Sequence, residues 1–164
     1  MGVAGSGKTT TGKRLSKLLG WPFRDADSFH PAANVEKMSR GIPLTDADRW
    51  PWLAAIGAWI DEQHNEGQPG IVSCSALKRV YRERLMSNRP QVQLVYLSGA
   101  KSLIADRMGQ RKNHFMPPAL LDSQFATLEP PSPDERPIVV DIASAPKAVV
   151  ETIVARLQLV AKIG

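Results

Sequence analysis

The chain has 164 residues, of which 43% are hydrophobic and 23% are charged, a length and balance that fit one globular domain rather than two. Its single cysteine, Cys74, excludes an intramolecular disulfide. The sequence shows neither an apolar run after the N-terminus nor a stretch of about 18 apolar residues, so we expect no signal peptide, no membrane span and a cytoplasmic location. The formal net charge of +5 suits a protein that handles anions, which include nucleotides, sugar acids and nucleic acid.

In chain order, short apolar runs alternate with helical patterns, which predicts βαβ units and a parallel sheet. The segment at 129–137, EPPSPDERP, predicts a loop. One helix carries Pro51 in its first turn and places Trp52, Ile56, Trp59 and Ile60 on one face. The other predicted elements are strands at 23–27, 71–75, 92–98 and 138–142, and helices at 8–19, 77–88, 101–112 and 145–160.

Residues 2–9, GVAGSGKT, match the phosphate-binding pattern G-x-x-x-x-G-K-[ST] in full. Glycines let backbone N–H groups approach phosphate oxygens, and the helix that follows presents its N-terminus to the same anion. Lys8 is placed to reach the β- and γ-phosphates, and the Thr9 hydroxyl to bind Mg²⁺. The residues expected to bind the nucleotide here are Gly2, Ala4, Gly5, Ser6, Gly7, Lys8, Thr9 and Thr10.

The class of nucleotide-binding protein follows from what the sequence omits. None of the four asparagines stands in an N-K-x-D motif, which would read guanine in a GTPase. A motor or transporter ATPase needs a far longer chain. We therefore predict a small kinase that uses ATP and Mg²⁺.

Two aspartates follow at the end of the first predicted strand, where open α/β sheets bind their ligands. The spacing of Asp25 and Asp27 predicts that they point to opposite sides of that strand. We assign Asp25 to the outer shell of Mg²⁺ through water, and Asp27 to the acceptor hydroxyl as a general base or orienting group. The alternative is a pair of solvated or helix-capping aspartates.

Basic residues near this edge are candidates for binding a small polar anion. Arg49 offers a bidentate fork for a carboxylate, whereas Lys37 offers a point charge. Surface positions are the alternative for each, and Arg82, Arg84 and Arg89 are expected on a solvated helix face. The full set of predicted substrate-binding residues is Asp27, His30, Lys37, Arg49, Lys78 and Arg79.

Three longer stretches resemble the signature regions of the gluconokinases, small P-loop kinases that phosphorylate D-gluconate on its 6-hydroxyl. They are DADSFHPAANVEKMSRGIPLTDADRWPWL at 25–53, SCSALKRVYRERL at 73–85 and RKNHFMPPALLDSQFATLEPP at 111–131. The resemblance covers nearly the whole chain in the expected order. It implies a three-layer αβα sandwich with a mostly parallel sheet, like that of adenylate and shikimate kinases, in one domain spanning residues 1–164. It also implies D-gluconate as the substrate and a possible homodimer, with no nucleic-acid or membrane partner.

Arg107 and Arg111 lie four residues apart on one predicted helix face, just before the polar turn RKNH. The resemblance implies a small lid at about 107–120, whose arginines fold over the ATP phosphates and act in catalysis, and a substrate-binding segment at about 28–53. Helix-surface arginines paired with acids such as Asp106 are the alternative.

The gluconokinase pattern also calls for a central strand that leads into the glycine-rich segment, but Met1 directly precedes Gly2. We expect that another segment replaces this strand, or that the start codon was assigned too late; a sheet that lacks its middle strand is the third reading.

Two rival functions stay open on sequence grounds. One is a kinase of the same fold for another small hydroxylated acid, such as shikimate, or for a nucleoside monophosphate. The other is a nucleotide- or RNA-binding module that uses the basic run at 78–89. We further expect Trp50, Trp52 and Trp59 in the core rather than against a sugar, and Cys74 as a buried, inert side chain.

Overall fold

The computed structural model describes residues 1–109 and 118–157, and within them two pairs of parallel strands lie between helices. Strand β1 (Phe23–Asp25) pairs with β2 (Ile71–Ser73), with Phe23 beside Ile71 and Asp25 beside Ser73. Strand β3 (Val95–Ser98) pairs with β4 (Ile138–Asp141), with Val95 beside Ile138. All four predicted strands are found, each shorter than expected, and their parallel pairing is confirmed.

Seven helices surround these strands in the described part of the chain. They are α1 (Lys8–Leu19), α2 (Ala32–Ser39), α3 (Asp46–Asn65), α4 (Arg79–Met86), α5 (Lys101–Gly109), α6 (Pro118–Thr127) and α7 (Pro146–Arg156). Short 3-10 helices occupy Ala26–Phe29 and Pro133–Glu135, so the expectation of a structureless loop at 129–137 is wrong in part. The ends of the helices predicted at 101–112 and 145–160 lie outside the described residues.

Helix α3 begins five residues before Pro51, so the expectation that Pro51 stands in its first turn is wrong. The Thr45 hydroxyl accepts a hydrogen bond from the backbone N–H of Asp48, and the Asp48 carboxylate accepts one from the backbone N–H of Thr45. This reciprocal capping box satisfies two N–H groups that the start of a helix leaves unpaired, which fixes where the helix begins.

Met1 and Gly2 lie between the two strand pairs and hydrogen-bond to both. The amino group of Met1 donates to the Val95 carbonyl, and the Leu97 N–H donates to the Met1 carbonyl at 3.0 Å. Gly2 donates its N–H to the Ser75 carbonyl at 3.2 Å, just beyond β2. The start of the glycine-rich segment is thereby held where the sheet pattern calls for a strand.

Two apolar clusters fill the space between the strands and the helices on either face. The first joins strand residues such as Leu97 and Val140 to Leu15 of α1 and to Ile153 of α7. The second packs α3 and α4 together and includes Cys74. Helices on both faces of parallel strands form the expected three-layer αβα arrangement. Among residues 1–109 and 118–157, no helix combines the length and apolar character that crossing a bilayer requires.

Candidate active site

The segment that follows Gly2 turns tightly and delivers the chain into α1. Gly2, Gly5 and Gly7 adopt φ angles of 145°, 78° and 92°, a region that side chains with a Cβ rarely enter. A Cβ on Gly5 would lie 2.6 Å from Cγ of Met108 on α5, so the loop also needs glycine for close packing. The α1 N-terminus faces this turn, which gives the loop the N–H donors and partial positive charge of an anion site.

Other contacts fix the conformation of this phosphate loop, residues 2–9. The Lys8 ammonium donates to the Val3 carbonyl at 2.9 Å, and the backbone N–H of Ala4 donates to Oε1 of Gln124 on α6 at 2.6 Å. The Ala4 amide is therefore taken by a side chain, which differs from the expectation that it faces the nucleotide. Ser6 was also predicted to bind the nucleotide. Its Oγ is buried inside the loop and has no hydrogen-bond partner among the described residues.

The phosphate loop and the acidic segment meet through a side-chain contact. The Thr9 hydroxyl donates to Oδ2 of Asp25 at 2.8 Å, although the two residues lie 16 positions apart. A hydroxyl and a carboxylate are the hard oxygen ligands that Mg²⁺ prefers. The two groups therefore fit a magnesium ion, which Thr9 and, through water, Asp25 would hold.

Asp25 and Asp27 do not project to opposite sides of a strand, because β1 ends at Asp25. The chain turns there into the 3-10 helix Ala26–Phe29, and Oδ1 of Asp25 caps it by accepting the N–H of Asp27 at 3.2 Å. Trp52 anchors this turn from α3, since its Nε1 donates to the Ala26 carbonyl at 2.7 Å. Asp27 is thus placed by a turn rather than by strand alternation.

His30 follows this turn and is a neutral hydrogen-bond donor. Its ring stacks on Trp52 with centroids 4.5 Å apart and planes inclined by 10°. Asn34 donates from Nδ2 to the Asp48 carbonyl and, at 3.3 Å, to Nδ1 of His30, so the ring proton resides on Nε2. Burial lowers the pKa of His30, and Arg49 adds to this effect while Asp27 opposes it. The charges of Arg49 and Asp27 therefore both lie near the His30 ring.

The first turn of α3 faces the start of α4 through one carboxylate. Both oxygens of Asp46 accept hydrogen bonds from the Lys78 ammonium at 2.9 Å, and Oδ1 also accepts the Tyr81 hydroxyl. Arg49 lies 3.9 Å from the same carboxylate. The Tyr81 and Lys78 hydrogen bonds hold the pKa of Asp46 below its ordinary value, so the group is anionic at neutral pH.

The remaining predicted substrate ligands are engaged with other groups of the protein. Lys37 forms an ion pair with Asp48 at 2.7 Å, and this contact, with the hydrogen bonds from Thr45, lowers the pKa of Asp48 to about 2. The Arg49 guanidinium donates to the Leu44 carbonyl. Lys37 therefore supports the capping box of α3, whereas Arg49 also belongs to the cluster around Asp46.

Arg79 lies on an exposed surface and pairs with residues other than those around Asp46. It donates to Asp134 at 2.6 Å, to Glu83 at 2.8 Å and to the Ser132 hydroxyl at 2.9 Å, and the carboxylates of Asp134 and Glu83 raise its pKa further. Of the two basic residues predicted beyond β2, Lys78 is the better candidate for substrate binding, because it alone faces the first turn of α3.

The expectation that Arg82 is solvated is wrong, since its side chain is only 1% exposed. Its guanidinium forms a bidentate pair with Glu135 and donates to three backbone carbonyls, those of Ala76, Leu77 and Glu129. Arg82 thereby fixes the turn that precedes Lys78. Arg89 also differs from expectation, because it forms a bidentate pair with Asp61.

The two arginines predicted for a lid are described in part. Arg107 is half-buried on α5, one residue before the methionine that packs against Gly5. The end of α5 therefore lies beside the phosphate loop. Arg111 and most of the proposed lid lie outside the described residues.

Comparison with known proteins places this chain in a family. A family model described as shikimate kinase matches residues 4–158, so the chain belongs to that group of P-loop kinases. The chain is 48% identical over 158 residues to the gluconokinase of Gluconobacter oxydans, an alignment that covers 96% of this chain and 89% of the relative. It is 46% identical over 139 residues to the thermosensitive gluconokinase of Escherichia coli, with 85% and 74% covered. This chain belongs to the gluconokinase family.

Comparison with solved structures agrees with this membership and separates relatives of the same family from proteins that share only the fold. A crystal structure of a gluconokinase from Sinorhizobium meliloti superposes with a TM-score of 0.87 at 45% identity, covering 99% of this chain and 91% of that one. The shikimate kinase of Bacteroides thetaiotaomicron gives a TM-score of 0.66 at 18% identity, with 96% of each chain covered. The second match shows a shared fold only, whereas the first confirms the resemblance to gluconokinases that the three signature stretches indicate.

Sequence reasoning missed three residues of this gluconokinase-family site: Asp46, Tyr81 and Gln124. The run Thr-Asp-Ala-Asp at 45–48 is a recognisable capping box, and it could have placed Asp46 in the first turn of a helix. Tyr81 and Gln124 carry no local signal, because each contacts a residue far away in the sequence.

Proposed function

We propose that this chain transfers the terminal phosphoryl group of ATP to the 6-hydroxyl of D-gluconate. The observation that carries the proposal is the contact between Thr9 of the phosphate loop and Asp25, because it brings the nucleotide site next to the turn that bears Asp27. The high identity to proteins named gluconokinase supports gluconate as the acceptor.

The nucleotide side of the reaction rests on residues 5–9 and α1. Backbone N–H groups of the loop, the Lys8 ammonium and the start of α1 bind the β- and γ-phosphates. Thr9 and, through water, Asp25 would hold a magnesium ion, which would neutralise charge on the phosphate oxygens. Arg107, at the end of α5 beside the loop, is the described residue suited to add a further positive charge there.

The acceptor side needs groups that bind a carboxylate and several hydroxyls. Lys78 and Arg49 provide two cations against the one carboxylate of Asp46, so this cluster of three residues carries one positive charge that suits the carboxylate of the substrate. His30 offers its Nε2–H to a substrate oxygen, while Asp46 and Tyr81 suit hydroxyl groups.

The transfer step is in-line displacement at the γ-phosphorus. The 6-hydroxyl oxygen forms the new O–P bond, the bond from phosphorus to the β,γ-bridging oxygen breaks, and ADP leaves. Asp27 orients the hydroxyl and accepts its proton. Because the transition state is loose, positioning and charge stabilisation supply most of the rate acceleration.

A panel of acceptors tests this proposal. ADP release is measured with gluconate, shikimate, glucose and AMP, with Lys8→Met as the control that removes the loop cation and keeps a similar side-chain length. We expect release that depends on gluconate and is abolished in the Lys8 variant. Release with shikimate or AMP alone would move the function to another kinase of this fold, and salt-sensitive RNA binding without release would favour the binding module.

Two further features stay predictions: a homodimer, which the family resemblance implies, and a cytoplasmic location, which the sequence analysis predicts. Light scattering during size-exclusion chromatography tests the homodimer, for which we expect a molar mass of twice 18.0 kDa. A monomer at micromolar concentration would contradict it.

A further inference from the structure

We propose that Gln124 on α6 is an additional ligand of the terminal phosphate, with its Nε2–H group as the donor. This inference rests on the proposed function in one respect, namely that residues 2–9 bind the phosphates of ATP. It assigns a role to a residue of α6, an element that the mechanism above does not use.

The chemistry of the contact fixes which way the carboxamide points. The backbone N–H of Ala4 can only donate, so the atom that it meets at 2.6 Å must be the oxygen, Oε1, of Gln124. Its nitrogen, Nε2, therefore occupies the other side of the same planar group. Within residues 1–109 and 118–157, Oε1 is the only atom of this side chain for which a hydrogen bond is found, and the two N–H donors of Nε2 have no partner there.

The surroundings of this carboxamide favour an anion. Its oxygen contacts the Ala4 N–H, so the N–H donors of the same small planar group lie close to the loop as well. Ala4 is followed at once by Gly5, where Met108 packs on the loop from α5, and the Lys8 ammonium is bonded to the carbonyl of the preceding Val3. The nitrogen of Gln124 thus lies at a loop that already collects a lysine and a helix N-terminus.

A neutral amide suits this position for a physical reason. The Oε1 contact holds the side chain in place before the ligand arrives, so little side-chain entropy remains to be lost when the phosphate binds. A hydrogen bond to a charged phosphate oxygen is stronger than one between neutral groups. One carboxamide therefore serves both as a clamp on Ala4 and as a phosphate donor.

Two substitutions separate these two roles. Gln124→Glu keeps an oxygen for the Ala4 N–H but replaces the donor with a carboxylate oxygen, whereas Gln124→Met keeps the length and removes both polar atoms. We measure KM for ATP, kcat with gluconate, and the affinity for ATP by calorimetry, with melting temperatures to verify folding. Gln68→Glu is the matched control, because it makes the same change of charge in the exposed loop before β2.

We expect KM and Kd for ATP to rise about tenfold or more in Gln124→Glu and about threefold to tenfold in Gln124→Met. KM for gluconate and the melting temperature should change little, and Gln68→Glu should match the parent. A Glu variant that binds ATP normally would overturn the donor role, whatever Met does. A Met variant with parental ATP affinity would overturn it too, because the Glu effect would then be repulsion alone. Calorimetry needs no acceptor, so failure of the parent to phosphorylate gluconate would refute the proposed function separately.

Discussion

The buried ion pair between Arg82 and Glu135 provides the strongest stability prediction. The two side chains are 1% and 5% exposed, and the carboxylate accepts Nε at 2.5 Å and Nη2 at 2.9 Å. Glu135→Ala removes both acceptors and leaves a guanidinium buried without its counter-charge. Because desolvation of that charge is no longer compensated, we expect the variant to lose about 3–5 kcal/mol of unfolding free energy.

That loss is large against the whole stability of a domain, which is about 5–15 kcal/mol. For a chain of this size it corresponds to a fall in Tm of about 10 °C or more. The neighbouring Asp134→Ala is the matched control, because its ion pair with Arg79 lies at the surface, where the carboxylate is 60% exposed. An exposed pair contributes little to stability, because water and salt screen both charges.

Urea unfolding followed by circular dichroism measures both variants, and an acid titration adds a second signature. The hydrogen bond from Arg82 holds the pKa of Glu135 below its ordinary value. Its stabilisation is therefore complete above the unfolded pKa and is lost as the pH falls through the lower folded value. Glu135→Gln should lack this part of the acid dependence. A Glu135→Ala variant no less stable than Asp134→Ala would refute the reasoning.

Three further predictions concern the site. Gly5→Ala should raise KM for ATP about tenfold or more, because the new Cβ would meet Met108. Gly20→Ala is its control: Gly20 has a similar φ of 70° with open space around it, so this variant should lose stability but keep its KM for ATP. Asp46→Asn should raise KM for gluconate about threefold to tenfold through loss of the ionic contact to Lys78, with KM for ATP unchanged; a change confined to ATP would contradict this. Asp27→Asn should lower kcat by about two orders of magnitude or more, and a kcat within about threefold of the parent would exclude the general-base role.

Local sequence signals predicted much of the fold, including the glycine-rich turn that forms the phosphate loop. The glycine pattern at residues 2–9 and the start of α1 depend on residues adjacent in sequence, and both were predicted where the structure has them. The burial of Cys74, whose pKa rises to about 11 through desolvation, was also foreseen. Trp52 lies in the core as expected, and it additionally stacks on His30.

Contacts between distant residues set the limit of that reasoning. Lys78 meets Asp46 across 32 positions and Arg82 meets Glu135 across 53, and neither spacing follows any helical or strand period. An arginine in a basic run therefore looked solvated, although tertiary packing buries it. The strand predicted through Asp27 ended early because Asp25 caps a turn, which shows a side-chain hydrogen bond overriding an apolar pattern.

The central claim is that ATP and gluconate meet between the phosphate loop and the turn that bears Asp27. A crystal structure with magnesium, a non-hydrolysable ATP analogue and gluconate measures this directly. We predict the γ-phosphate within residues 2–9 and the 6-hydroxyl oxygen within about 3.2 Å of the Asp27 carboxylate. Gluconate bound elsewhere, or with its 6-hydroxyl turned away from both Asp27 and the γ-phosphate, would contradict the account.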